Sequence, residues 1–268
     1  MNAAAGNSRI FQKIGGGMTA AFYAVFLFLF TFLTLGVLFS NIGYSYNRLL
    51  LFTFVFLFAA ASSVLFRIIR THAETLVKYE RLILLLVLPL LFLIQMYLGF
   101  RLRFASAFDF ASVYRGAIQW AETGTFSDYY EYYHYFPNNL GAMTLLFLVF
   151  KAAGLFGITD YFMLGVLLNA VMISLTVLTA YAAAKKLAGA SGGAVCLFFF
   201  VTAPPFYILA AAFYTDSLSM LFPVLFYNVY LRLKQERRED QNRRRLLFVA
   251  MLVVITLGAM IKFTVMIM

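Results

Sequence analysis

Long apolar runs, each about long enough to cross a bilayer, constrain the fold of this chain more than any other feature. A helix needs roughly 20 residues to cross the hydrocarbon core. Hydrophobic residues make up 63% of the chain and charged residues only 12%, whereas soluble domains carry about a quarter charged residues. We therefore expect an all-α polytopic membrane protein. Its seven predicted transmembrane helices are 18–39, 49–66, 82–99, 161–184, 192–210, 217–231 and 246–268.

The positions of Lys and Arg predict the orientation of these spans, because cytoplasmic loops hold the excess of basic residues. One further apolar run, 139–156, is ambiguous. If it crosses the membrane, 7 basic residues lie inside and 13 outside. If it returns to the side it left, as an interfacial or re-entrant helix, 15 lie inside and 5 outside. We therefore predict seven crossings, a cytoplasmic N-terminus and an outer loop at 100–160.

This topology divides the chain into two predicted parts. Residues 1–81 form a cytoplasmic tail and an extra transmembrane hairpin, and residues 82–268 form the main transmembrane module. The chain ends within an apolar run, so we expect that a C-terminal part of the module is missing. The basic stretch 232–245 is predicted as a solvated cytoplasmic loop, with binding of anionic lipid head groups as the alternative.

The same features bear on partners and location. Basic cytoplasmic loops account for the net charge of +10, which therefore indicates no nucleic-acid partner. A single cysteine, Cys196, allows no disulfide framework within the chain, and no organelle address is recognised. We expect a multi-pass protein of the plasma membrane, in contact with membrane lipids and part of the cell envelope.

The outer loop is predicted to hold two surface helices. Residues 109–122 place apolar side chains at helical spacing, with Trp120 at headgroup depth. The run 139–156 forms the second helix. Between them lies a tyrosine-rich polar segment, 129–139, which a membrane protein has little reason to hold unless it meets a ligand.

Asp109 begins the first surface helix, in the sequence Phe108-Asp109-Phe110. One interpretation is an N-cap, which accepts hydrogen bonds from free backbone N–H groups. The other is a general base that takes a proton from an acceptor hydroxyl. The two roles exclude each other only in part.

Four more charged residues have alternative interpretations. Asp216 either caps the following span or is a functional acid at the mouth of two spans. Lys262 lies within an apolar run, where it either snorkels to the surface or pairs with Asp216 or a phosphate. Arg101 and Arg103 follow a span, as interfacial anchors or as a clamp for a lipid phosphate.

The sequence lacks the common motifs of nucleotide and hydrolase chemistry. It contains no P-loop, no dinucleotide-binding turn, no nucleophile elbow and no His-Glu-x-x-His. The two histidines, His72 and His134, do not have metal-ligand spacing. No cofactor is required, although a divalent metal near Asp216 stays open.

The order of these features resembles the glycosyltransferase-C superfamily, whose members use polyprenyl-phosphate sugars and include protein O-mannosyltransferases and aminoarabinose transferases. The resemblance covers residues 82–268. The chain departs from the family in having Asn138 where many relatives have a second proline, and a single Asp in the first outer loop where they have an acidic pair. The matching features are an early outer Asp, two surface helices, Tyr133-x-Tyr135-x-Pro137, Tyr214-Thr215-Asp216 and Lys262-x-Thr264.

The resemblance implies an inverting glycosyltransferase that moves a hexose from a polyprenyl-phosphate-linked sugar to a lipid, glycan or protein hydroxyl on the outer face. Asp109 would be the catalytic base. A lipid-linked-sugar flippase or transporter and a non-catalytic membrane partner protein are the alternatives. The implied substrate-binding residues are Arg101, Arg103, Tyr133, His134, Tyr135, Pro137, Tyr214, Asp216 and Lys262.

Overall fold

The computed structural model describes most of the chain, and the described part is helical without a strand. Two compact units are distinguished, Met1–Leu65 and Phe66–Met268. The predicted span at 18–39 lies only partly within the described residues. The described residues are 16–17, 20–21, 24–29, 31–36, 39, 47–103, 106–236 and 240–267.

Ten helices, α1 to α10, are described between residues 47 and 267. Short 3₁₀ turns at Ser127–Tyr129, Pro137–Asn139, Leu209–Ala211 and Phe263–Ile267 join or follow some of them. The helices are α1 (Arg48–Thr71), α2 (Ala73–Arg101), α3 (Phe108–Thr123), α4 (Tyr130–Tyr135), α5 (Leu140–Gly154), α6 (Tyr161–Thr202), α7 (Pro205–Ile208), α8 (Thr215–Ser219), α9 (Leu221–Gln235) and α10 (Gln241–Ile261).

Four of the described helices are long and apolar enough to cross a membrane: α1, α2, α6 and α10. A fifth span is obtained if Pro205–Ala211 and Thr215–Gln235 count as one broken span, with an angle of 116° between the two parts. This agrees with an all-α membrane protein. The predicted span 161–184 and most of the predicted span 192–210 lie on α6, on either side of a break at Ala188–Gly189.

Helix α6 is in fact two helical segments joined by a sharp bend. A straight helix of its 42 residues would be about 63 Å long, roughly twice the hydrocarbon thickness. Ala188 and Gly189 leave helical geometry, and Gly189 has φ +68, a conformation that favours glycine. The second segment folds back on the first, since a Cβ at Gly193 would lie 2.8 Å from the Tyr181 ring. Leu197 accordingly joins a buried cluster with Ile173 and Val177.

Contacts between the helices define two ends of the second unit. At one end, called the Asp109 end, Gly99 packs against Val166 and Gly165 packs against Phe213. The other end, called the Lys185 end, holds the ion pair of Glu80 with Lys185 and the hydrogen bond from Asn228 Nδ2 to the Thr179 carbonyl, 3.0 Å. Each long helix of this unit therefore connects the two ends.

Helix α5 differs from the long helices because it begins and ends at the Asp109 end. A Cβ on Gly141, in its first turn, would overlap the backbone of Met260 near the end of α10. Near its last turn, Phe150 packs against Tyr161 at the start of α6, with 5.1 Å between ring centroids. Helices α3 and α5 therefore pack together as a pair at one end of the bundle.

The buried face of α5 gives a direct test of this packing. Leu146 is fully buried in the cluster that joins α3, α5 and α6, whereas Leu148 on the same helix is 57% exposed. Leu146→Ala should lower the free energy of unfolding by about 2–5 kcal/mol, and Leu148→Ala by less than about 0.5 kcal/mol. Unfolding in mixed micelles titrated with sodium dodecyl sulfate measures both. Equal losses would contradict the observed burial.

Candidate functional site

A polar cluster at the Asp109 end joins three segments that are distant in sequence. The Tyr214 hydroxyl lies 3.5 Å from Asp109 Oδ2 and 3.4 Å from Asn139 Oδ1. Both are acceptors, so its single proton is donated to one of them at a time, over a long distance. Asn139 Nδ2 donates to the Tyr132 hydroxyl at 2.6 Å. Asp109, Tyr132, Asn139 and Tyr214 are called the Asp109 cluster below.

The approach of Asp109 to Tyr214 is fixed by the residues that follow and precede them. Phe110 packs edge-to-face on Phe213, with 4.9 Å between ring centroids. Phe213 is fully buried and also contacts Phe162, at 5.4 Å. An apolar contact therefore holds the start of α3 against the segment before α8, and places the two polar residues side by side.

Asp109 is not the N-cap of α3. The capping position belongs to Ala107, and none of the side chains that the structure describes caps this helix. Asp109 lies instead in the first turn, where a negative charge is favoured by the helix dipole. Its carboxylate is exposed, so it is open to a ligand hydroxyl.

Phe108, which precedes Asp109, has an unusual conformation that the sequence does not predict. Its φ is +52, in the left-handed region that aromatic residues seldom adopt, at a cost of about 1–3 kcal/mol. Its side chain is 93% exposed. Strain of this kind is concentrated at functional sites, and here it adjoins the exposed acid.

Two residues of the cluster, Tyr132 and Asn139, were not among the candidates from sequence. Asn139 is almost fully buried and connects the tyrosine-rich segment to Tyr214. Burial raises the pKa of the Tyr132 hydroxyl, and the hydrogen bond from Asn139 only partly offsets this rise. Tyr132 is therefore a neutral group at physiological pH. The sequence feature that could have identified Asn139 is its position as a polar residue at the start of an apolar helix.

The predicted residues of the tyrosine-rich segment have different surroundings. Tyr133 is buried, and its hydroxyl donates to the Ser112 carbonyl at 3.3 Å, so it ties α4 to α3. His134 and Tyr135 are exposed, with 5.4 Å between their rings. Pro137 begins the 3₁₀ turn that ends at Asn139.

Asp216 and Lys262 form an ion pair close to the Asp109 cluster. Asp216 follows Tyr214 by two residues, and Lys262 is the C-cap residue of α10. Pairing with Asp216 was one of the interpretations of Lys262 from sequence, and it is the one found in the structure. The pair is partly solvated, since the side chains of Lys262 and Asp216 are 28% and 65% exposed. Both acids therefore lie at the same end of the bundle.

The two arginines after α2 differ in their contacts. Arg103 pairs with Asp160, and its guanidinium lies 5.5 Å from the centre of the Phe162 ring. Arg103 is thus engaged within the protein. Arg101 is exposed at the last residue of α2. Neither arginine has a described contact with the Asp109 cluster.

Neither a metal site among the described residues nor a similar known protein is found. Among the described residues, no group of three or more His, Cys, Asp or Glu side chains is placed to hold a metal ion. Comparisons of the chain with protein-family models, curated proteins and solved structures find no match.

The ion pair of Arg103 with Asp160 predicts a pH-dependent contribution to stability. Burial alone would raise the pKa of Asp160, but hydrogen bonds from Arg103 and from the Met163 N–H, with the Arg103 charge, hold that pKa below its usual value. A depressed pKa stabilises the folded state above the pKa of the unfolded chain, about 3.9. This stabilisation is lost as pH falls through the lower pKa of the folded protein.

Asp160→Asn removes the charge but keeps a residue that can cap α6. We expect its melting temperature to lie below that of the wild type at pH 7, with a gap that narrows as pH falls below about 4. Thermal unfolding in a non-ionic detergent, followed by circular dichroism, measures the gap. A gap of constant size across this pH range would rule out the charge of Asp160 as its cause.

Proposed function

We propose that this chain is an integral-membrane glycosyltransferase that transfers a hexose from a polyprenyl-phosphate-linked sugar to an acceptor hydroxyl. The observation that carries the proposal is the proximity of Asp109, Tyr214 and the Asp216–Lys262 pair at one end of the bundle. These residues come from three distant segments, and each occupies a position that the family resemblance names.

Asp109 is the general base of the proposed reaction. Its exposed carboxylate takes the proton of the acceptor hydroxyl while that oxygen attacks the anomeric carbon. The bond from the anomeric carbon to the phosphate oxygen breaks, and the polyprenyl phosphate leaves with the bonding electrons. Because the attack comes from the side opposite the leaving group, the configuration at the anomeric carbon is inverted.

Neighbouring groups orient the base and stabilise the leaving group. The Tyr214 hydroxyl, 3.5 Å from Asp109 Oδ2, limits the rotation of the carboxylate. Lys262, which also pairs with Asp216, shares its positive charge with the leaving phosphate, and fixed charges aimed at developing charge lower transition-state energies. Tyr132, whose hydroxyl is held by the buried Asn139, supplies a neutral hydrogen-bonding group for a sugar hydroxyl.

The proposal includes seven spans, a cytoplasmic N-terminus and the Asp109 end on the outer face of the plasma membrane. Helix α5 supports this topology because both of its ends contact the Asp109 end. A helix whose two ends lie on the same side of the membrane agrees with the prediction that 139–156 does not cross it. The basic residues Lys185 and Lys186 then face the cytoplasm, as the distribution of charge favours.

A transporter of lipid-linked sugar, without chemistry, is the second candidate. It is favoured by the break between Pro205–Ala211 and Thr215–Gln235, because interrupted helices commonly form the substrate sites of transporters. Gln95, on α2, is also fully buried, and neither polar atom of its amide has a hydrogen-bond partner in the described part of the chain. Both candidates bind the same lipid phosphate, so the transfer of the sugar is what distinguishes the enzyme from the transporter.

Asp109→Asn should lower the transfer rate by at least about 100-fold, because it removes the general base while keeping the shape of the side chain. Membranes containing each variant are supplied with radiolabelled polyprenyl-phosphate mannose or glucose, and labelled product is counted. Asp128→Asn, at an exposed acid of the same segment, is the matched control and should keep its activity.

Two results of this assay would count against the enzyme. Wild-type activity in Asp109→Asn would remove the base assignment. Translocation of the labelled donor across vesicles, with no labelled product from the wild type, would favour the transporter.

The proposed orientation is tested by labelling single cysteines on intact cells in a Cys196→Ser background. We expect a membrane-impermeant maleimide to label Asp128→Cys and Thr159→Cys but not Leu187→Cys or Asn242→Cys. Labelling of Leu187→Cys and Asn242→Cys alone would place the Asp109 end in the cytoplasm. Labelling at 128, 187 and 242 but not at 159 would mean that 139–156 crosses the membrane.

A further inference from the structure

An apolar groove lies between α2 and the returning segment of α6, at the Lys185 end. Its volume is about 240 Å³. It exists because the bend at Ala188–Gly189 is followed by small side chains, which hold the returning segment close to the first without filling the space beside α2. Its apolar lining includes Leu76, Ile83, Val87, Ala194, Leu197 and Val201.

This groove leads into a polar mouth. A second cavity, of about 460 Å³, shares Glu80 and Tyr181 with the first and is also lined by Lys185 and Lys186. The groove therefore offers an apolar wall along its length and charged groups at one end. That combination matches a molecule with an apolar chain and a charged head.

The charges at the mouth favour an anion. Lys185 is neutralised by Glu80, but Lys186 hydrogen-bonds the neutral side chain of Asn228. Arg232 lies one turn after Asn228 on α9 and therefore on the same face of that helix as the partner of Lys186, where two like charges repel. Among the residues that the structure describes, neither Lys186 nor Arg232 has a carboxylate within ion-pair distance. An anion between these two cations would remove their repulsion.

We propose that the Lys185 end binds an anionic phospholipid, with its phosphate near Lys186 and Arg232 and an acyl chain in the groove. Basic pockets between membrane helices are known sites for anionic head groups. A soluble anion would leave the apolar groove unfilled, whereas a zwitterionic lipid would bring a positive group toward the two cations. The charge and the groove together therefore select an anionic lipid.

This site is separate from the Asp109 end and does not depend on the proposed transfer reaction. From Tyr161 to Lys185 the first segment of α6 rises roughly 36 Å at 1.5 Å per residue. A lipid bound at the Lys185 end would contact α2, α6 and α9 and would hold the bend of α6 in place. The bound lipid is thus a structural ligand of the bundle.

The melting temperature of the purified full chain in a non-ionic detergent tests the proposal. Phosphatidylglycerol should raise it at lower concentration, by about tenfold or more, than phosphatidylcholine with the same acyl chains, because a bound ligand stabilises the folded state. Equal effects of the two lipids would overturn the proposal. An equal rise with glycerol phosphate alone would also overturn it, since the site would then be one for a soluble anion.

Two variants locate the effect. Arg232→Gln, at an exposed position, should reduce the preference for phosphatidylglycerol, and the double variant Lys186→Gln with Arg232→Gln should abolish it. Arg245→Gln removes the same charge from an exposed position on α10, away from Asn228 in sequence, and should keep the preference. A preference that survives in Arg232→Gln, or is lost equally in Arg245→Gln, would contradict the proposed site.

Discussion

The bend of α6 at Ala188–Gly189 is the feature on which the rest of the second unit depends. It sends the chain back along its own first segment, so that residues near 210 return to the level of Gly165. Without that return, Tyr214 and Asp216 would not meet Asp109 and Lys262. The glycine is required because its backbone adopts φ +68, which other residues seldom tolerate.

The returning segment needs a further stabilising interaction where its helix is interrupted between α7 and α8. Backbone carbonyls that lose their helical partners in an apolar medium must find other donors. Asn169, fully buried on α6, supplies them, because its Nδ2 donates to the carbonyls of Leu209 and Ala210 at 2.6 and 3.3 Å. This hydrogen bonding fixes the end of the return immediately before the candidate site.

The sequence predicted the parts of the fold that follow from local chemistry. Apolar runs predicted helices, and the Lys185–Lys186 pair marked the point where α6 turns back. The pairing of Lys262 with Asp216 was one of the alternatives, because an intramembrane lysine needs a partner. Other contacts could not be predicted. In a run of five aromatic residues, the phase of a six-residue helix decides whether Tyr132 or Tyr133 faces the site. Local periodicity cannot set that phase.

The ion pair at the candidate site has a consequence for any phosphate that binds there. Asp216 cancels the charge of Lys262, so the pair offers no net positive charge to a lipid phosphate. A phosphate must therefore share Lys262 with the carboxylate, or meet a further cation. Arg103 is engaged by Asp160, whereas the exposed Arg101 or a divalent metal on the solvated carboxylate of Asp216 would add positive charge. In the proposed reaction, binding of the leaving phosphate would then depend on how Asp216 is neutralised.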